Sequence, residues 1–172
     1  NGVQLGIGLP GIEVESLHFD SRGHLWAGTT RGLARFDAIS EKFQSFRRDG
    51  FDPFSIAGDS ILSLFEVPNG TLWVGTEGGG ISWTQIDSYW FPVAREGLSH
   101  PSVWGMIQSR NGLLRIGTDA GLNEWNPRTG EFAQPLAGID NLPSTYIYAL
   151  LEDSKGRLWM GTRGGGVMRM EP

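Results

Sequence analysis

The 172-residue sequence contains no cysteine, which excludes disulfides, thiol nucleophiles and thiolate metal sites without fixing a compartment. No apolar run approaches the roughly 18 residues that a membrane-spanning helix needs. Basic clusters are missing too. The longest is Arg47-Arg48 and the net charge is −5, so a nucleic-acid groove has no electrostatic support. Only three histidines occur, His18, His24 and His100, at spacings that fit no metal-ligand motif, and no cofactor or metal is implied. No signal peptide is visible and the chain begins at Asn1 rather than Met, as expected of a processed or excised form or of a fragment. Helical 3.6-residue periodicity is absent throughout.

What the chain does have is glycine, 26 residues of it, and one stretch written four times. It reads LWAGT (Leu25–Thr29), LWVGT (Leu72–Thr76), LRIGT (Leu114–Thr118) and LWMGT (Leu158–Thr162). Its glycines, Gly28, Gly75, Gly117 and Gly161, are 47, 42 and 44 residues apart. A period in the forties with one strand-like core per period is the signature of a repeat architecture. Gly6-Ile7-Gly8-Leu9-Pro10-Gly11 formally matches a dinucleotide fingerprint, but the alternating Ile12–Phe19 that follows is a strand and not the helix that motif requires.

Each period has the same grammar. Strand A (Val14–Phe19, Ile61–Glu66, Val103–Gln108, Ile147–Glu152) runs into a turn closed by Gly23, Gly70, Gly112 or Gly156. Glycine suits a tight turn that needs positive φ. Strand B is the LWxGT stretch, apolar on both faces as in a sheet stacked between two neighbours. A second turn leads to strand C (Leu33–Phe36, Ile81–Trp83, Leu122–Trp125, Val167–Met170), and strand D follows at Phe43–Phe46, Trp90–Val93 and Glu131–Ala133. Four antiparallel strands per period make a propeller blade. The predicted fold is therefore all-β, a β-propeller of four-stranded antiparallel blades in a single domain. Its repeats cover approximately 12–53, 59–97, 101–139 and 145–172, with Val3–Leu5 a candidate closing strand for the last blade. Three arrangements stay open: a closed four-blade ring, half of an eight-blade dimer, and a fragment of a larger ring.

The pattern D-x-x-G-x-L-W-x-G-T-x-x-G, best kept in Asp20–Asp37 and Asp153–Met170, resembles the two-component regulator propeller repeat. Repeat 3 departs, with Ser109 for Asp and Arg115 for Trp, and repeat 2 has Val67 and Pro68 where Asp is usual. Arg115 then marks a blade with a looser seam or a special neighbour. The resemblance implies a non-catalytic, periplasmic ligand-sensing region of a bacterial receptor. It also implies an often dimeric state, an output signalling domain elsewhere in the full-length protein, and in one branch oligosaccharide ligands.

Blade geometry puts the A–B and C–D turns on one face of the disc and the B–C and D–A loops on the other. Side chains of several blades converge on the second face, the first place to expect a ligand. The candidate residues there are Arg31, Glu77, Asp119 and Arg163 from B–C loops, and Glu15, His100, Trp104, Tyr146 and Tyr148 from D–A loops and strand A starts. Aromatic platforms beside polar groups suit a sugar or another small polar molecule. Trp104 and Tyr148 lead, because they occupy a strand A position (Glu15, Leu62, Trp104, Tyr148) that varies between repeats where most repeat positions are monotonous. The plain alternative is that the loop charges are solvated or pair with neighbouring blades. For the whole chain the alternative is a dimerisation scaffold without a ligand site. A polysaccharide lyase or hydrolase, using Glu77 and Asp119 as its carboxylates, comes third.

Overall fold

The computed structural model describes residues 8–11 and 13–172, and the strand expected at Val3–Leu5 lies outside them. The chain folds into four antiparallel sheets in sequence order. The first holds β1 (Val14–Phe19), β2 (Leu25–Thr29), β3 (Gly32–Asp37) and β4 (Lys42–Phe46). The second holds β5 (Ile61–Val67), β6 (Thr71–Thr76), β7 (Ile81–Gln85) and β8 (Val93–Ala94). The third holds β9 (Val103–Gln108), β10 (Leu114–Thr118), β11 (Gly121–Trp125) and β12 (Phe132–Ala133). The fourth has three strands, β13 (Ile147–Glu152), β14 (Leu158–Thr162) and β15 (Gly166–Met170). The innermost strands β1, β5, β9 and β13 pack each on the next, as blades do around an axis.

One strand moves. The fourth strand of blade 2, expected at Trp90–Val93, is the pair Val93–Ala94. Pro92 has no N–H to give a ladder. Phe91 instead sinks into the core between blades 1 and 2 at 1% exposure, its N–H donating to the Phe54 carbonyl (2.8 Å), while Trp90 stacks on Phe54 (5.0 Å between centroids).

The repeated motif is explained by what each letter holds. Asp20 Oδ1 accepts the backbone N–H groups of Arg22 (3.0 Å) and His24 (2.8 Å), and its Oδ2 accepts the indole N–H of Trp26 (2.9 Å). Asp153 does the same for Lys155, Arg157 and Trp159. One carboxylate thus ties a turn to the tryptophan of the next strand. In repeat 3 a different pair replaces it: Arg115 donates to Ser109 Oγ (2.6 Å) and forms an ion pair with Glu124 (2.8 Å), which is the special neighbour. The threonine closes the following turn, its hydroxyl donating to the carbonyl of Gly32, Gly80, Gly121 or Gly166 at 2.8–3.0 Å.

The motif glycine is there for the neighbouring blade. A Cβ on Gly28 would lie 2.7 Å from Ile61 Cγ2, one on Gly75 2.7 Å from Val103 Cγ1, and one on Gly117 2.8 Å from Ile147 Cγ2. Each hole therefore receives the first residue of the next blade's inner strand, and Ile61, Val103 and Ile147 are all fully buried. The ends of the arc break the series. Val14, the equivalent knob of blade 1, is 43% exposed, and Gly161 meets only Ala149 of its own blade. Leu33, Ile81 and Leu122 are at most 1% exposed, whereas their equivalent Val167 is 69% exposed. Among the described residues three seams are built, β1 on β5, β5 on β9 and β9 on β13.

Two outcomes follow for stability. In dilute protein, Gly75→Val should cost about 1–3 kcal/mol by overpacking, while Gly161→Val should stay within about 0.5 kcal/mol of the parent; urea titration of both reads the difference. The second concerns acid. Burial opposes ionisation of Asp20, but the bonds from Trp26, His24 and Arg22 outweigh it and hold the carboxyl below its ordinary 3.8. The Trp159 bond first, against some burial and with help from Arg157 and Lys155, does the same for Asp153. A lowered folded pKa gives stability that is complete above the unfolded value and fades as pH falls through the folded one. Asp20→Asn should therefore melt lower at neutral pH and converge on the parent as pH drops below about 4; parallel melting curves down to acid pH would contradict the tie.

Candidate functional site

The variable position of strand A has a structural cause. The register of the inner strand against its neighbour slips between Val14 and Ser16, Ile61 and Ser63, and Ile147 and Ala149, and in blade 3 Val103 and Gly105 face successive residues, Thr118 and Gly117. Glu15, Leu62, Trp104 and Tyr148 are thus the extra residues of four equivalent β-bulges. A bulge releases its residue from the ladder and re-aims its side chain, which leaves this position free to differ between blades.

In blades 3 and 4 the two released side chains meet. Trp104 and Tyr148 pack edge to face with ring centroids 4.7 Å apart, a geometry worth roughly 0.5–1.5 kcal/mol beyond burial. The Trp104 indole donates to Asp119 Oδ1 (2.6 Å) in the loop after β10. Asp119 Oδ2 lies 3.5 Å from His100 Nδ1, which also accepts the Ser102 N–H (3.1 Å). Arg163, in the loop after β14, donates to the Tyr148 hydroxyl (3.4 Å), and its backbone N–H donates to the Tyr146 carbonyl (3.0 Å). The Tyr146 side chain is exposed beside this network.

Of the nine predicted residues the structure links Trp104, Tyr148, Tyr146, His100, Asp119 and Arg163 into one cluster across the seam of blades 3 and 4. Glu15 and Arg31 stand exposed on blade 1, and Glu77 on blade 2 is held by the Ser60 hydroxyl (2.9 Å); none of the three bonds to the cluster. The cluster combines an aromatic pair, a carboxylate, an imidazole and a guanidinium, groups that can stack on a ring and exchange hydrogen bonds with hydroxyls. Glu77 and Asp119, the two carboxylates considered for hydrolysis, are each already engaged by a donor of their own blade.

The deeper clefts lie elsewhere, at the seam of blades 2 and 3. One of about 710 Å³ is walled by Trp83, Trp125, Phe132 and the 48–56 loop. Another of about 420 Å³ opens among Trp73, Trp83, Trp125 and the A–B turns of the two blades. Trp83 and Trp125 were not among the residues singled out from sequence. The signal was there in strand C, where Arg35, Trp83, Glu124 and Arg169 share one register position.

The two component regulator propeller family matches the chain three times, over residues 8–31, 55–78 and 141–164. The unmatched repeat is the one carrying Ser109 and Arg115. No curated protein sequence matches the chain. Among solved structures, the extracellular domain of BT3049 from B. thetaiotaomicron, named for a hybrid two component system, superposes with a TM-score of 0.72 at 23% identity over 92% of this chain. The extracellular domain of BT4673 from the same organism gives 0.77 at 23% identity over 95%. This chain spans about a fifth of each, 20% and 22%. The computationally designed Ika4 protein gives 0.69 at 15% identity, with 99% of both chains covered. At these identities the likeness is one of fold, an all-β arrangement of propeller blades. The sequence match adds that three of the four repeats, those of blades 1, 2 and 4, match the two component regulator propeller model.

Proposed function

We propose that this chain is a ligand-sensing segment of the extracellular or periplasmic part of a bacterial two-component receptor. It binds an oligosaccharide or another small polar ligand on the B–C face, and the output domain lies elsewhere in the full-length protein. The observation that carries the reading is the meeting of two bulge residues from adjacent blades, Trp104 and Tyr148, over Asp119, His100 and Arg163. A ring disc that served only as a spacer has no use for aromatic residues at the one inner position released from the ladder. The family match and the fold shared with extracellular domains named for hybrid two component systems support the receptor context.

A second reading, association through the ends of the arc, rests on a different observation. Val14 and Val167 are exposed where every internal equivalent is buried, and Gly161 is an unfilled hole. A second copy placed head to tail would offer Val14 to Gly161 twice and complete eight blades.

Both readings have direct tests. A ligand at about a hundred times its Kd adds about 2.7 kcal/mol, or roughly 5–10 °C in melting temperature for a chain of this size. In a thermal-shift screen of glycans and metabolites, at least one ligand should give a rise that Trp104→Ala or Tyr148→Ala removes; no rise across a broad panel, or rises that all survive both substitutions, counts against the sensor reading. For association, light scattering should give about twice the 18.8 kDa chain mass, and Gly161→Val should return it to the single-chain value. A parent that is monomeric at high concentration contradicts pairing.

A further inference from the structure

We propose a second ligand site, on the opposite face of the disc: an uncharged saccharide-binding cleft at the seam of blades 2 and 3, built on Trp73, Trp83 and Trp125. The cleft encloses about 420 Å³, within the range of roughly 300–1,000 Å³ usual for small-molecule sites. Its twelve lining residues include no charged side chain, in a chain with 33 Asp, Glu, Lys and Arg residues.

That neutrality is specific to this repeat. In repeats 1 and 4 the motif tryptophan is covered by an arginine, with Arg35 5.7 Å from the Trp26 ring centre and Arg169 5.7 Å from that of Trp159. The same tryptophans give their indole N–H to Asp20 and Asp153. Repeat 2 replaces both charges at once. Trp83 stands opposite Trp73 where the arginine would be, and Val67 stands where the aspartate would be. The Trp73 indole N–H therefore has no carboxylate partner, nor any other protein acceptor among the described residues. Trp125 of blade 3 completes the wall, 4.7 Å from Trp73 and 6.4 Å from Trp83 between ring centroids. A seam that only needed filling could have kept the pattern of repeats 1 and 4.

The polar groups at the mouth are neutral amides, each anchored at one end. Asn69 Oδ1 accepts the Thr71 N–H (3.1 Å), Gln85 Nε2 donates to Thr71 Oγ1 (2.8 Å), and Gln108 Nε2 donates to the Gly112 carbonyl (3.3 Å). The Asn69 NH₂ and the carbonyl oxygens of Gln85 and Gln108 are left for a ligand, pre-oriented by those anchors. The half-buried indoles of Trp83 and Trp125, packed on the buried Trp73, can take an apolar ring face, and with fixed donors and acceptors and no charge they match a neutral sugar. A uronic acid or a phosphorylated sugar would bring a charge with nothing to pair it. The site stands independently of the cluster around Trp104.

Affinity electrophoresis tests this, in native gels cast with neutral polysaccharides (arabinan, xylan, galactomannan, β-glucan, levan) or with polygalacturonate, with mobilities normalised to a plain gel. The measurement is made in a Trp104→Ala background, which takes the first site out of the readout: there at least one neutral polymer should retard the chain and polygalacturonate should not. Adding Trp83→Arg, which restores the covering cation of repeats 1 and 4, should weaken that retardation at least tenfold. Should Trp83→Arg melt early, the surface variant Gln85→Ala combined with Gln108→Ala replaces it, with the same loss expected. In the Trp104→Ala background, no retardation by any neutral polymer, retardation by polygalacturonate alone, or undiminished retention in the cleft variants would each overturn the proposal.

Discussion

The structure depends on how closely one sheet can approach the next. A β-branched or branched-chain knob at the start of each inner strand enters a hole left by a glycine on the second strand of the preceding blade. Because the side chain being accommodated belongs to the neighbour, the glycine is not there for its own backbone conformation. The small residues facing it, Ser16, Ser63, Gly105 and Ala149, widen the same hole from within the blade. With that spacing set, the tryptophan beside the glycine can lie flat in the seam and the aspartate six residues before it can lock the turn. The motif is one device for joining blades, which is why it recurs as a block.

That device also explains which parts of the fold were legible in the sequence. Strand order, turn glycines and the two-sided burial of the LWxGT strand could be read because they repeat, and repetition separates architecture from accident. The fourth strand of blade 2 could not. Its position is decided by Phe91 entering the core between blades 1 and 2 and by Pro92 withholding a donor, and only the first of these depends on a neighbour distant in the chain. The bulges were invisible as bulges, since they are a mismatch of two residues against one across strands. Their consequence was visible as a position that would not repeat. The cleft at Trp83 was hidden for a related reason: it forms only where Trp73 and Trp83 of one blade meet Trp125 of the next, although Arg35, Trp83, Glu124 and Arg169 differ along strand C as sharply as Glu15, Leu62, Trp104 and Tyr148 do along strand A.

Repeat 3 shows how far the device can be altered without being lost. Exchanging Asp and Trp for Ser109 and Arg115 leaves the turn bonded and keeps a long side chain in the seam, now neutralised by Glu124 at 2.8 Å. A half-buried ion pair of this kind tolerates loss of either partner poorly, because the remaining charge is stranded. The third blade has exchanged an apolar wedge for a polar one, and it is flanked on one side by the Trp104–Tyr148 cluster and on the other by the tryptophan cleft. Both departures from the repeat thus border the blade whose own motif departs most.

This placement bears on how a disc of near-identical blades can carry specificity. Within a blade every residue is committed to the ladder, the turn or the seam. What remains free are the bulge residue, the loop after the threonine and the strand C position over the tryptophan. Each of these lies at a seam, so a ligand held there touches two blades at once. Its binding energy then depends on the spacing between them, and by the same token the bound ligand opposes any change in that spacing. Blades 3 and 4 share Trp104, Asp119, Tyr148 and Arg163, and blades 2 and 3 share Trp73, Trp83 and Trp125. In a propeller whose seams are set by a single glycine-sized gap, those are the positions where a bound small molecule would have mechanical purchase on two blades at once.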